Sequence, residues 1–165
     1  MNLEYLNFDI VSDFDIRISN FFMQSFLLEI ITPERTAYTD TVSELSVPTL
    51  TGTIGILPKH VGLFTVLGEG EIKIRVGSKE LFLAIGGGFM DVGREKVSIL
   101  VSRAVHADEL NEHAIKEAQE RARNIIMSDI KGEELAAAQA ILRRSILEMK
   151  VIRRHKTRNL TSSIS

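Results

Sequence analysis

Cysteine is absent from all 165 residues, which excludes a disulfide scaffold, thiolate zinc sites and cysteine nucleophiles. Tryptophan is absent too, and aromatics make up only 6%, too few for the stacking platforms that hold single-stranded nucleic acid. There is no excess of positive charge. Twenty Lys and Arg face 22 Asp and Glu, a formal charge of −2, so no nucleic-acid partner is expected. No run approaches the roughly 20 apolar residues needed to span a bilayer. The first residues are acidic and lack the basic start and long apolar run of a secretory signal. The chain is therefore expected to be soluble, with any membrane association arising through partners. What is present is ordinary globular composition, 44% hydrophobic and 25% charged, enough for one sizeable core or a domain with a small appendage.

The charge is uneven. Residues 1–22 carry Glu4, Asp9, Asp13 and Asp15 against Arg17, a net of −3. The end of the chain, from Val151 to Ser165, carries Arg153, Arg154, Lys156 and Arg158 with no acid, a net of +4, and reads as a basic flexible tail over residues 152–165.

Between these ends lie two halves of different texture. The first has short apolar or alternating runs broken by Gly and Pro, which predict strands at Phe26–Ile31, Val42–Val47, Thr53–Leu57, Gly70–Val76, Glu80–Ile85, Phe89–Val92 and Val97–Val101. Ile72, Ile74 and Val76 alternate with Glu71, Lys73 and Arg75, and Gly77-Ser78 forms a hairpin turn into the next strand. Close-spaced short strands imply an antiparallel sandwich or flattened barrel. After His106 there is no Pro, and Gly132 is the only Gly. Leu110, Ala114, Ala118, Ala122 and Ile125 form a narrow Ala-rich helical stripe, with Asp108 expected as the N-cap. A second helix is expected from Glu133 to about Val151, with Leu135, Ala138, Leu142, Ile146 and Met149 on its buried face. The two make an antiparallel hairpin, weakly held because each Ala buries little apolar surface.

Catalytic chemistry is not legible. Gly86-Gly87-Gly88 could suggest a phosphate cradle, but such loops lead into a helix, whereas here a strand follows, so a bend where backbones cross closely is expected. Glu109, His113 and Glu117 share a helix face without a second His, which reads as a solvated polar face rather than a metal site. His60 sits in a loop without an acid partner, and no Gly-x-Ser-x-Gly elbow occurs.

Two stretches are specific when taken together: Gly52-Thr-Ile-Gly55-Ile-Leu-Pro58-Lys-His60 and Leu83-Ala-Ile-Gly86-Gly-Gly-Phe89-Met-Asp-Val92. With Val97-Ser-Ile-Leu100 after them and a helical hairpin last, the chain resembles the epsilon subunit of F-type ATP synthases from about Met23 through Lys150. The resemblance implies an α+β, mainly β fold: an antiparallel β-sandwich of about ten strands over residues 23–105, then a helical hairpin over 106–151. It implies a non-catalytic central-stalk subunit that couples rotation of the gamma subunit to the membrane rotor ring. It places the protein at the cytoplasmic face of a bacterial inner membrane, or the equivalent side of an organelle membrane. The C-terminal helices in such proteins can lie on the sandwich or extend along gamma towards the catalytic beta subunits and inhibit ATP hydrolysis.

By the same resemblance Gly52, Thr53 and His60 belong to the loop facing gamma and the ring, with Thr53 standing where many relatives carry an acid. Some bacterial relatives bind ATP through an Ile-Asp-x-x-Arg-Ala motif. The matching stretch here keeps only Asp108 and has Asn111 and Glu112 in place of Arg and Ala. Arg143 and Arg144 could compensate in part, yet weak or no ATP binding is expected, and no other cofactor. A nucleotide-sensing regulatory module is the alternative reading, against which the degraded motif argues. Residues 1–22 depart from the family pattern. They are either the product of an upstream start, with Met23 the true one, or a genuine acidic extension.

Overall fold

The structure, a computed structural model, describes residues 24–128 and 131–162, with side chains through residue 157. The readings of residues 1–22 and of a start at Met23 lie outside the described residues. Ten strands come first: β1 Phe26–Ile31, β2 Thr36–Val42, β3 Glu44–Thr49, β4 Gly52–Ile56, β5 Leu63–Leu67, β6 Gly70–Val76, β7 Lys79–Ile85, β8 Gly88–Val92, β9 Lys96–Val101 and β10 Ala104–His106. A 3-10 turn, Ala107–Glu109, leads to helices α1, Glu112–Met127, and α2, Glu133–Ser162. The strands join in the order β10-β7-β6-β3-β5-β8-β9-β1-β2, with β4 paired to β3. All pairings are antiparallel except β1 with β9.

Strand period fixes the core. Every second residue of an antiparallel strand faces the same side. Leu28 and Ile30 of β1, Ile72 and Ile74 of β6, Leu83 and Ile85 of β7, and Ile99 of β9 accordingly meet in one cluster without solvent exposure. Fully burying such a side chain is worth roughly 1.5–3 kcal/mol. The outward residues of β6 are charged, and two of them stay partly exposed: Arg75 bridges Glu44 at 2.7 Å and Glu80 at 2.9 Å, and Lys73 reaches Glu44 at 3.4 Å. β7 is apolar on both faces because both are covered. Phe82 and Ala84 turn away from the core and are buried with Ala107 and with Val151 of α2.

The expected strand at Val42–Val47 is corrected. The chain breaks at Ser43, whose hydroxyl and N–H both bond the Arg75 carbonyl, so Val42 ends β2 and Glu44 opens β3. β2, β5 and β10 were not legible: β2 is largely polar and exposed, β5 has apolar residues on both faces, and β10 is three residues long.

The helices also differ from expectation. Asn111, not Asp108, caps α1: its side-chain oxygen accepts from the N–H groups of His113 at 3.0 Å and Ala114 at 3.2 Å. Asp108 belongs to the preceding 3-10 turn, and Leu110 between them is extended and packs against both small clusters beneath α2. The buried face of α1 is rotated: Ile115 and Ala122 are buried and Ala114 is exposed. On α2, Leu135, Ala138, Leu142 and Met149 face inward as expected, but Ile146 is half-exposed and Ser145 takes the inward place, its hydroxyl donating to the Ile141 carbonyl. α2 does not end near Val151. It continues to Ser162, because Val151 and Ile152 are themselves buried and the basic residues after them find acidic partners.

Candidate functional site

The most distinctive surface is an apolar strip across β5, β8 and β9. Val66 pairs with Phe89 across β5 and β8, and Phe89 with Leu100 across β8 and β9, so these side chains lie in one row. Phe64 joins the row, its ring stacked on Phe89 at 5.9 Å with 16° between planes. Phe64 is 70% exposed, Phe89 51% and Leu100 53%, and Leu50 at the β3–β4 turn is also exposed nearby, facing a shallow hollow shared with Phe64 and Val66. Single exposed apolar residues are commonplace; three in register with Phe64 stacked beside them form a contiguous apolar patch of the kind that partners cover. Sequence reading missed this strip. The signal was the run Leu63-Phe-Thr-Val-Leu67, apolar on both faces of a short strand with nothing in sequence to show which face is covered.

Gly52, Thr53 and His60 do not share one loop. Gly52 and Thr53 open β4, paired with Thr49 and Pro48, and the Gly52 carbonyl accepts from the Thr49 hydroxyl at 2.7 Å. Gly52 has φ 141°, a backbone setting that favours glycine, and Thr53 is exposed. β4 then separates them from His60, whose Nδ1 lies 2.8 Å from the Val61 carbonyl. His60 lines a cavity of about 720 Å³ with Pro58, Lys59, Gly62, Arg94 and Glu95, to which neither Gly52 nor Thr53 contributes. The ladder between β3 and β4 causes the separation.

Asp108, Arg143 and Arg144 are likewise not assembled. A cavity of about 420 Å³ does open between Arg103, α1 and α2, and Arg144 lines it, but Asp108 and Arg143 do not. The Arg144 Nε donates to Glu148 at 3.0 Å, and Arg103 donates to the same oxygen at 2.6 Å, so one carboxylate is shared by two guanidiniums. With Glu109 also on its wall, the two acids balance the two arginines, so the cavity has no excess of positive charge. Asp108 instead lies 3.3 Å from the Nδ1 of His155.

Among the described residues no group of three or more His, Cys, Asp and Glu side chains could hold a metal. His113 and Glu117 pair at 3.2 Å, while Glu109 turns to Arg35 at 3.2 Å. The three glycines 86–88 form the expected close crossing: a Cβ on Gly88 would overlap the Leu100 carbonyl, and one on Gly86 the Ser102 hydroxyl. Tyr38 has a buried hydroxyl without a hydrogen-bond partner, and burial foremost, then Asp40, pushes the phenol up to about 12. None of these groups forms a nucleophile–base pair.

Fold and site together define a β-sandwich protein with a helical hairpin packed on β7 and β6 and an apolar strip left open on β5, β8 and β9. Residues 25–107 match the family model described as ATP synthase, Delta/Epsilon chain, beta-sandwich domain. The chain is 36% identical over 135 residues to the ATP synthase epsilon chain of Chloroflexus aggregans, covering 82% of this chain and 97% of that one. It is also 36% identical over 131 residues to the epsilon chain of Herpetosiphon aurantiacus, covering 79% and 96%. A chain in the cryo-EM structure of the Euglena gracilis mitochondrial ATP synthase with F1 and c-ring has the same fold, with a TM-score of 0.60 at 20% identity over 81% of this chain and 80% of that one. The protein belongs to the ATP synthase epsilon chain family, whose members are non-catalytic stalk subunits. Among the described residues no helix is long and apolar enough to cross a membrane.

Proposed function

We propose that this chain works in the central stalk of an F-type ATP synthase, seated on the gamma subunit and coupling its rotation to the membrane ring. The exposed row of Phe64, Val66, Phe89 and Leu100 carries the reading, because a strip of this kind needs a covering partner and the hairpin packs elsewhere, on β7 and β6. Gamma covers the strip. The Gly52–Thr53 turn and the His60 connection, on separate ends of β4, supply the polar contacts to gamma and to the ring. Thr53 makes the ring contact without charge. The complex holds the protein at the cytoplasmic face of a bacterial inner membrane or the equivalent organelle side. The hairpin restrains ATP hydrolysis when it leaves the sandwich and engages the catalytic beta subunits. Its separability supports this role, since the main sandwich core contains no residue beyond Ala104.

Replacing Phe64 and Phe89 together by Ser tests the docking. These side chains are already exposed, so the fold, followed by circular dichroism, is expected to survive. Affinity for a gamma-containing stalk is expected to fall at least about tenfold, the equivalent of losing roughly 1.4 kcal/mol of apolar contact. Unchanged affinity would remove the strip from the interface. Reconstitution with a chain ending at Ala107 tests the restraint: hydrolysis by the complex should rise, and an unchanged rate sinks the inhibitory role.

A further inference from the structure

The basic run after Val151 has the composition of a loose tail, yet three consecutive side chains in it are tied to the rest of the fold. Val151 is fully buried against Phe82 and Ala84 of β7, and Ile152 is buried with Ile115 of α1 and Met149. The residues that follow reach three different elements. Arg154 meets Glu71 of β6 at 2.5 Å, His155 meets Asp108 of the 3-10 turn at 3.3 Å, and Lys156 meets Glu112 of α1 at 2.5 Å. Successive side chains on a helix point about 100° apart, and here three consecutive ones find partners on three different elements. Earlier on α2, Glu148 adds a fourth tie, to Arg103 at 2.6 Å.

We propose that Val151–Lys156 is an electrostatic latch that holds the helical hairpin closed on the sandwich, so that α2 leaves β7 only when these ion pairs are released. The inference stands on the isolated chain and does not need the proposed seat in the stalk. Individually such surface pairs contribute little. Within this segment the exception is the pair at Glu71: Arg154 is half-exposed, but the Glu71 side chain is only 7% exposed and its Oε2 has no hydrogen-bond partner. Arg154 offsets that buried charge in the closed state. Without Arg154 the closed state leaves that covered carboxylate without its cation, whereas opening returns it to water. The pairs at His155 and Lys156 are more exposed and are screened by salt, whereas Arg103–Glu148 is better covered and is screened less. Opening is therefore favoured by high ionic strength and opposed by the apolar contacts of Val151 and Ile152.

The missing cysteines make the test clean. Lys79→Cys on β7 and Lys150→Cys on α2 place two spin labels at exposed positions of the full-length chain, and pulsed dipolar spectroscopy reads the distance between them. At low salt a single narrow distance is expected. Arg154→Ala should abolish it in favour of a longer, broad distribution. Adding Glu71→Gln to Arg154→Ala should restore the narrow distance, since no charge is then stranded, a rescue that a purely steric role for Arg154 would not produce. In the chain with Arg154 intact, raising salt from about 0.05 to about 0.5 M, which shortens the screening length severalfold, should populate the longer distance. The latch is overturned if Arg154→Ala leaves the distance unchanged, if Glu71→Gln fails to rescue, or if salt has no effect on the intact pair. The salt arm carries no substitution at the latch and decides the matter even if Arg154→Ala does not fold.

Discussion

Glu112 shows how one residue can serve two tasks. It opens α1, where a carboxylate complements the exposed N–H groups of the first turn, and it also joins the helix to its neighbour. Hydrogen bonds from Lys116 and then Lys156, with the charges of both, pull its carboxyl down from 4.5 to about 2. A folded-state value below the unfolded one means that the contribution is complete above about pH 4.5 and is lost as the pH falls towards about 2. Titration of the Glu112 side chain by NMR should therefore give a midpoint well below that of an ordinary glutamate, and Lys156→Ala should bring it part of the way back. A midpoint near 4.5 in the intact chain would mean that the two lysines do not hold it in solution. Asp108 offers the opposite lesson: a good capping residue is not the cap when an Asn three positions later can bond two N–H groups at once.

At the scale of elements, the close approach of β8 to β9 sets a sharp steric limit. Gly88 pairs with Val101, and a Cβ there would run into the Leu100 carbonyl and the Val101 Cα, backbone atoms that cannot swing aside. Gly88→Ala is expected to destabilise the chain by about 1–3 kcal/mol in urea unfolding. Gly55→Ala, with open space around the new methyl group, should stay within about 0.5 kcal/mol. Equal effects at the two positions would show that the glycine run is not held by packing. The same close approach explains why the run resembles a phosphate loop without being one. Its backbone faces a neighbouring strand, and a strand, not a helix N-terminus, follows it.

Across the whole molecule, cohesion is divided unequally. Eighteen buried residues form the sandwich cluster, all between Phe26 and Ala104, while α1 buries only Ile115 and Ala122. Local opening follows the number of buried apolar contacts. Native-state hydrogen exchange should thus find the amides of β1, β6, β7 and β9 slowest and those of α1 fastest among the regular elements, with α2 slowest near Val151. Uniform protection along the chain would contradict a hinged hairpin.

What the sequence determined by itself is everything governed by local period and chain order. The alternation in β6, the apolar runs of β1 and β7, the glycine crossing, the helical hairpin and the family likeness all follow from residues close together in the chain. Local pattern states that a face is apolar, not what covers it. Only the tertiary structure decided that Phe82 and Ala84 lie under α2 while Phe64, Phe89 and Leu100 stay open, because that depends on which strands adjoin and where the helices lie. The basic end was misread for the same reason. Arg154, His155 and Lys156 look like a solvated run until Glu71, Asp108 and Glu112, as many as 83 positions away, are folded against them. Charge composition is additive along a chain, but ion pairing depends on distance in space, and the fold alone sets that distance.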